Sequence, residues 1–469
     1  MSNLKIKPKI KYFTIKDQND FSFLSGDFNP IHINKEYARK SMSGKLVVHG
    51  VNLIFWGLNE FLQFKKKQVR ILSIDAVFYK FANIDSPIKL KIIKRKNNYI
   101  EFQFSSDEIL SKFELNYKVV TNNKFKIENK KLNITVPQNI NFNKKIKNRV
   151  FKENIFLNSK ILKKNFLYMD KYLNYNQIID LTSITRFVGM QVPGLNSILY
   201  KISLKFNKSI LHNVSFTINE FDKRFKLVSL FFRGLSFLGK ITTLVRPVSA
   251  KNILNNQKLK ITKNQFSNQR ALIIGGSTGS GEVISKILSQ GAANILLSFN
   301  TGKKDALKIK KDNKKIKIFS LNIEKELNFK QINQIKKYKP THLYYLATPK
   351  IFVGDAFNFD IKKFDLFNQY YLLGFEKIFK HLDTDKLKAV FSPSSISVNK
   401  PAGKLFEYSC SKSAMETYFT YLQSKYSDIK FYFPRLPKMK TNQTISIFNE
   451  KLRSPFLELF KCIKKINSI

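Results

Sequence analysis

Two architectures in succession are predicted for this chain of 469 residues. The first is α+β: one buried helix wrapped by a long antiparallel sheet, built twice. The second is α/β: a doubly wound parallel sheet. Three observations carry the prediction. Residues 51–62, VNLIFWGLNEFL, are apolar on nearly every face of a helix, so that helix is buried all round. The same order of helix and then strands recurs, more weakly, between 177 and 246. From about 263 strands alternate with helices, the pattern of parallel strands joined by crossovers.

Along the chain, the first helix is followed by strand-like runs at 70–79, 88–95, 99–105 and 112–120. A polar, Asn/Lys-rich stretch at 137–149 opens the next segment. It continues with a helix at 177–188 and strands at 197–206, 214–221, 225–232 and 238–246. Alternation is clear in NVSFTI, where Val214, Phe216 and Ile218 share one face. The Asn/Lys-rich run 252–268 reads as a linker. Beyond it come strands at 271–274, 294–298, 316–321, 342–346, 389–391 and 430–433, with helices at 281–290, 364–381 and 409–426. The predicted domains are 1–130, 131–262 and 263–469, a division that the length allows.

Composition narrows the classes. Hydrophobic residues make up 43% of the chain, enough for real cores. The two cysteines, Cys410 and Cys462, are too few for a disulfide framework or a cysteine zinc site, and they fit a reducing compartment. The basic N-terminus has no apolar core of the signal-peptide kind, and the most apolar stretch, 47–58, is too short to span a bilayer. A cytoplasmic protein without a membrane span is expected. The net charge of +50 comes from lysines scattered along the whole chain and rich in company with Asn, Ile and Phe. That is a compositional pattern of solvated surface, with no specific nucleic-acid motif. It would still attract anions such as nucleotide cofactors, coenzyme A or an acidic carrier protein.

One run in the first segment carries chemistry. Asp27, Asn29, Pro30 and His32 fall together, followed by His49–Gly50 just before the buried helix. Hydrating a double bond conjugated to a thioester, the reaction that this run's resemblance to the enoyl-CoA hydratases implies, needs a positioned water, a base and an acid. Asp27 and His32 offer both from one short loop that Pro30 stiffens. The backbone N–H of Gly50, at the helix N-terminus, suits a developing enolate oxygen. The run, with the downstream His-Gly and the turn at 81–87, resembles the (R)-specific enoyl-CoA hydratases and the wider MaoC-like dehydratases over most of residues 12–120. The resemblance implies a hot-dog fold, an acyl thioester of coenzyme A or acyl carrier protein as substrate, Asp27 and His32 holding the catalytic water, and the Gly50 N–H polarising the thioester carbonyl. Asn29 is expected to hold the loop. The runs Thr185–Met190 and Pro193–Ile198 resemble the helix-to-strand portion of a second such unit. It lacks the Asp-x-Asn-Pro-x-His run, so its expected role is structural, completing a double hot-dog and forming one wall of an acyl tunnel. His212 is expected to be an ordinary histidine.

The third segment has its own set. After the strand 271–274 come Gly275, Ser277, Gly279 and Gly281, a turn whose glycines permit tight bending and close approach of backbone to a pyrophosphate at a helix N-terminus. Tyr408 and Lys412 lie one helical turn apart, and Ser395 lies thirteen residues before Tyr408. This set resembles the short-chain dehydrogenases/reductases. It implies a Rossmann-type sheet, Tyr408 as proton donor, Lys412 lowering its pKa and binding the nicotinamide ribose, and Ser395 bonding the substrate oxygen. Three departures stand out. The family's relay Asn would fall at Tyr371, with Asn368 nearby but off register. Leu346–Pro349 replaces the usual Asn-Asn-Ala-Gly. The segment after Pro437 is short for a substrate lid and final strand. At the end of the second strand no acid is present to meet a ribose 2′-hydroxyl, and Lys303 and Lys304 follow, so NADP is expected over NAD.

Reductase and dehydratase steps are consecutive in fatty-acid and polyketide building, so the expected function is a bifunctional 3-ketoacyl reductase and 3-hydroxyacyl dehydratase or enoyl hydratase. The alternative is that one site is degenerate and serves binding or assembly. A homo-oligomer is compatible with either.

Overall fold

The computed structural model describes residues 8–121, 135–140, 142, 146–208, 213–247, 261–313, 315–352, 358–401, 403–444, 446 and 451–468. His212 and residues 252–260 of the expected linker lie outside them. The chain divides into two compact units, Met1–Val248 with Ser446–Asn449, and Ser249–Ile445 with Glu450–Ile469.

The first unit contains, in order, β1 (Lys9–Tyr12), α1 (Ile15–Ser25), α2 (Pro30–Ile33), α3 (Lys35–Arg39), α4 (Gly50–Lys65), β2 (Val69–Phe78), β3 (Pro87–Lys96), β4 (Tyr99–Ser105), β5 (Ile109–Val119), β6 (Val150–Glu153), α5 (Ser159–Asn165), α6 (Leu167–Tyr172), α7 (Tyr175–Met190), β7 (Ser197–Phe206), β8 (Val214–Asp222), β9 (Leu227–Arg233) and β10 (Phe237–Val245). The strands form one antiparallel sheet in the order β1-β3-β4-β5-β2-β7-β10-β9-β8-β6. This order has the same plan read from either end. β2 and β7, each the first strand after a 16-residue helix, pair at the centre, with Ile74 opposite Leu204 and Ala76 opposite Ile202.

Burial explains both long helices. In α4 the apolar run faces protein all round, and on β4 Ile100, Phe102 and Phe104 alternate inward to meet it. Gly57 sets the closeness of helix to sheet, because a Cβ there would lie 2.7 Å from the Phe113 ring. Helix α7 is buried from Gln177 to Met190 although it carries polar residues, and several of those are fixed to named partners. The Gln177 amide brackets the backbone of Ile71, accepting at 3.1 Å and donating at 2.8 Å. The Asp180 carboxylate accepts from the N–H groups of Leu235, Ser236 and Phe237 at 2.7, 2.7 and 2.9 Å.

The second unit contains β11 (Arg270–Ile274), α8 (Gly279–Gln290), β12 (Asn294–Phe299), α9 (Lys303–Asp312), β13 (Ile316–Ser320), α10 (Phe329–Tyr338), β14 (His342–Tyr345), α11 (Ile361–Asn368), α12 (Gly374–Phe379), β15 (Ala389–Phe391), β16 (Ser394–Ser395), α13 (Phe406–Lys425), β17 (Lys430–Tyr432), β18 (Arg435–Leu436) and α14 (Pro455–Asn467). Six strands form a parallel sheet in the order β13-β12-β11-β14-β15-β17. The chain winds outward from β11 in one direction and from β14 in the other. Strand order therefore reverses between β11 and β14, where open α/β sheets have their ligand crevice.

Several elements differ from the sequence reading. Helices α1, α9, α10 and α14 were not expected. A capping box between Thr14 and Asp17 starts α1, and one between Asn328 and Gln331 starts α10. The strand expected from 225 begins at Leu227, because Lys226 takes a left-handed turn conformation at φ 52°. The helix expected at 364–381 runs as α11 and α12 through a π-helical turn at Gln369–Leu373. Among the described residues no strand follows β18. Helix α14 instead lays Phe456, Leu459, Ile463 and Ile466 into the core on one face of the sheet.

Candidate active sites

In the first unit, α1 ends at Gly26, whose left-handed backbone (φ 83°) turns the chain into the Asp27 loop. Asp27 is 2% exposed. Its Oδ1 accepts from the Asn29 N–H at 3.1 Å, a local turn that aims the carboxylate, and its Oδ2 accepts from the Thr185 hydroxyl at 2.7 Å. Asn29 caps α2, accepting from Ile31 N–H, and donates to the carbonyls of Gly189 and Gly194 at 2.9 and 3.0 Å. His32 lies on α2, one turn further on, and not in the loop itself. Its Nδ1 meets the Val47 carbonyl at 2.7 Å. A carbonyl only accepts, so Nδ1 carries the hydrogen and Nε2 presents a lone pair.

The sequence reading gave His49 no role, yet it stands at the centre. Its ring stacks on His32 with centroids 3.7 Å apart and planes 22° from parallel. Its Nδ1 and its backbone N–H both meet Gln18 Oε1, at 2.9 and 3.0 Å. Its Nε2 lies 3.2 Å from the Asp27 carbonyl oxygen and 4.0 Å from Asp27 Oδ2. Gly50 is the first residue of α4, so its N–H is among those that the helix leaves unbonded. Buried Arg246 donates to the Leu195 carbonyl at 2.6 Å and to the Tyr37 hydroxyl at 3.1 Å.

Electrostatics follow from burial. Loss of water pushes the Asp27 carboxyl up to about 7, against the pull of the Thr185 and Asn29 hydrogen bonds. Burial pushes His32 down to about 4, opposed by its bond to Val47 and aided by the charge of Arg246. Burial, with His32 beside it, holds His49 well below its ordinary value. Near neutral pH the site therefore holds a neutral imidazole base and a carboxyl that exchanges its proton readily. Ligand atoms of Asp27, His32 and His49 all lie within 4.8 Å of one another, as a metal site would need. The stacked rings argue against that use. The two rings lie face to face, His32 Nδ1 is taken by the Val47 carbonyl, and both Asp27 oxygens already accept hydrogen bonds.

In the second unit, the turn after β11 is held by the end of β12. Ser298 accepts from Gly275 N–H through its hydroxyl at 3.0 Å and from Gly276 N–H through its carbonyl at 3.1 Å. Gly275 has φ 78°, and a Cβ there would lie 2.8 Å from the Ala347 nitrogen. Gly279, φ 61°, opens α8 and has no atom within 4 Å of where its Cβ would be. A strand-to-helix turn with free space at the helix N-terminus, at the point where strand order reverses, fits a dinucleotide pyrophosphate. Ser277 is buried in this turn. Lys303 and Lys304 are exposed in the first turn of α9.

Tyr408 and Lys412 are both buried on α13. Lys412 Nζ donates to the Pro393 carbonyl at 2.7 Å and lies 3.8 Å from the centroid of the Tyr371 ring. The expected lowering of Tyr408 by Lys412 is not found. Burial pushes Tyr408 up to about 12, and the group that pulls it down is the neighbouring Ser395 hydroxyl. Burial likewise pushes Lys412 down to about 7. The ammonium is engaged with the Pro393 carbonyl and the Tyr371 face. Ser395 also accepts from Ser397, through N–H at 3.2 Å and hydroxyl at 2.9 Å. Tyr371 sits on the π-helical turn with its hydroxyl 2.7 Å from Thr348 Oγ1. Asn368, the off-register relay candidate, accepts from Ser411 at 2.7 Å and so ties α11 to α13.

Comparison with known proteins bears on both units. Residues 5–88 match the family model described as "MaoC like domain". No curated protein matches the chain in sequence. Solved structures similar to it include an oxidoreductase from E. coli (TM-score 0.39, 15% identity, 44% of this chain and 92% of that one) and a short chain dehydrogenase from Salmonella enterica serovar Typhi (0.38, 16%, 43% and 92%). A short chain dehydrogenase from Escherichia coli CFT073, solved with NADPH, gives 0.39 and 15% over 44% and 93%. No helix among the described residues is long and apolar enough to cross a membrane. The chain thus carries a MaoC-like domain at its start, and its similar solved structures include short-chain dehydrogenases.

Proposed function

We propose that the protein is a bifunctional acyl-thioester enzyme: a 3-hydroxyacyl dehydratase or enoyl hydratase in a double hot-dog unit, and an NADP-dependent 3-ketoacyl reductase in a Rossmann-type unit. The observation that carries the reading is that one chain holds both constellations. Asp27 and His32 stand together near the N-terminus of α4, and Tyr408 and Lys412 share α13 in the unit that has an open glycine turn.

In the hydration direction, Asp27 and His32 hold the water. One of them takes its proton as the oxygen adds to the β-carbon, and the other delivers a proton to the α-carbon. The reverse sequence expels water from the 3-hydroxyacyl thioester. A raised carboxyl and a depressed imidazole suit this exchange: near neutrality the Asp27 carboxyl can hold or release a proton, and the neutral His32 imidazole is free to accept one. The Gly50 N–H meets the thioester oxygen as it gains charge. In the second unit, residues of the turn 275–281 would hold the pyrophosphate, and Lys303 and Lys304 would attract a 2′-phosphate. NADPH, when bound, supplies the hydride. Tyr408 gives a proton to the carbonyl oxygen, Ser395 bonds that oxygen and the phenol, and Lys412 holds the ribose.

The test is to incubate the purified chain with a 3-ketoacyl thioester and NADPH and identify the products by mass. A 3-hydroxyacyl thioester followed by its enoyl product, 18 mass units lighter by loss of water, is expected. Asp27→Asn and His32→Ala should each stop at the hydroxyacyl product. One observation favours a second reading for the reductase unit: Tyr371 occupies the relay position, and its ring engages Lys412. A chain that binds NADPH without oxidising it in the presence of 3-ketoacyl thioesters would support that reading.

A further inference from the structure

The loop that carries Asp27 is gripped from the other half of the first unit. Within 27–29, Asp27 Oδ2 accepts from Thr185 at 2.7 Å, Phe28 N–H meets Met190 Sδ at 3.2 Å, and Asn29 donates to Gly189 and Gly194. All four partners lie on α7 or just beyond it. Gly189 has no side chain where one would occupy the space of the Asp27 carboxylate: a Cβ there would overlap its atoms. Helix α7 is itself immobilised, by Gln177 on Ile71 and by Asp180 on the turn before β10. The Thr185 hydroxyl is therefore presented to Asp27 by a rigid element, 158 residues away in sequence.

We infer that Thr185 is a positioning residue for Asp27, and that the second half of the unit is part of the dehydratase site and not only a structural complement. The inference rests on the reading of Asp27 as an acid–base group. A hydroxyl that donates to Oδ2 favours the ionised carboxylate and fixes which oxygen faces the reacting atoms; Oδ1 is left for the Asn29 N–H. The first half alone, which contains the whole MaoC-like match at 5–88, lacks this donor.

The experiment uses the full chain with Thr185→Val, Thr185→Ser and Thr185→Ala, and reads two quantities. The first is the pH dependence of crotonyl-thioester hydration. The second is the titration of the Asp27 carboxyl carbon by NMR, assigned with Asp27→Asn. Thr185→Val should lower kcat about tenfold and move the Asp27 limb and its NMR titration about one unit toward higher pH. Both shifts have the same sign whichever protonation state is active, because removing a donor to the carboxylate raises its pKa. Thr185→Ser should restore both, and Thr185→Ala gives the same comparison if valine does not fold. An unmoved titration in the valine or alanine variant, or a serine variant no better than valine, overturns the inference. If the wild-type chain hydrates no thioester, the functional reading fails, and the NMR titration still decides whether Thr185 governs Asp27.

Discussion

Asp27→Asn should abolish hydration and at the same time stabilise the first unit. Asp27 ionises at about 7 in the fold against an ordinary 3.8. Between those values the folded chain holds a proton that the unfolded chain has released. Stability therefore falls as pH rises through this window and stays low above it. At 1.36 kcal/mol per unit, a shift of roughly three units amounts to about 4 kcal/mol at pH 7 and above. His32 acts with the opposite sign. It ionises at about 4 in the fold against an ordinary 6.5, so the folded chain binds fewer protons there and stability rises with pH over that range. These two slopes oppose each other between pH 4 and 6.5, and His49, also held below its ordinary value, adds to the rising side. Asparagine removes only the first. Its amide oxygen can keep the Asn29 N–H, and its amide nitrogen can donate to Thr185, so little hydrogen bonding is lost.

The assay is urea unfolding of the full chain, followed by the fluorescence of Trp56, the single tryptophan and a buried residue of α4 in the same unit. At pH 4.5 the wild type and the variant should differ by about 1 kcal/mol or less. At pH 7.5 the variant should be more stable by about 2 kcal/mol or more, allowing for incomplete relaxation round the amide. An offset of equal size at both pH values, or a variant less stable at pH 7.5, would show that Asp27 is comfortably ionised in the fold and would refute the reasoning. A gain of stability with loss of activity is the sign of a group held in its place by function.

The second unit gives three further expectations. Tyr408→Phe should end NADPH oxidation with a 3-ketoacyl thioester but leave NADPH binding, whereas Lys412→Ala should weaken both; a Tyr408→Phe protein that still turns over would remove the phenol from the reaction. NADPH should bind about tenfold more tightly than NADH at low salt and by less near physiological salt, since exposed Lys303 and Lys304 act through screened charge; equal titrations at low salt would show that the lysines do not reach the ribose. Tyr371→Leu removes the ring that faces the Lys412 ammonium, a contact of about 1–2 kcal/mol when desolvated, so Lys412 should lose its proton about one unit lower and the alkaline limb of reductase activity should move down; Tyr371→Phe should leave that limb in place.

What the sequence displayed and what it hid have physical causes. The helices α4 and α7 and most strands were legible because burial on all faces or on alternate faces leaves a direct mark on apolar spacing. The glycine turn, Tyr408, Lys412 and the Asp27–His32 run were legible because their chemistry needs fixed spacings. Helix α1 was not. Its buried face carries Gln18, Ser22 and Ser25 beside Phe21 and Leu24, so the apolar stripe is broken. Two of those polar residues serve the site: Gln18 holds His49, and Ser25 accepts from the Asp27 N–H at 3.2 Å. The element nearest the chemistry thus departs from the local pattern by which elements are found. Helix α9 failed for another reason. It is a lysine-rich surface helix that buries little beyond Ala306 and Ile309.

Helix α7 shows where reading from sequence stops. Gln177, Asp180 and Thr185 are among the polar residues that interrupt its apolar run, and in a helix buried all round such a residue gains from a partner. The interruption is visible in the sequence; the partner is not. Gln177 and Asp180 meet backbone groups of neighbouring strands and turns, which any helix in that place would find, and their role is to fix the helix. Thr185 meets a carboxylate on a loop that the pairing and register of a ten-stranded sheet bring to it. The sequence makes the three look alike, as polar residues on one buried helix. Only the fold separates two staples from a residue that controls the ionisation of the site, and it does so through a contact that no local spacing encodes.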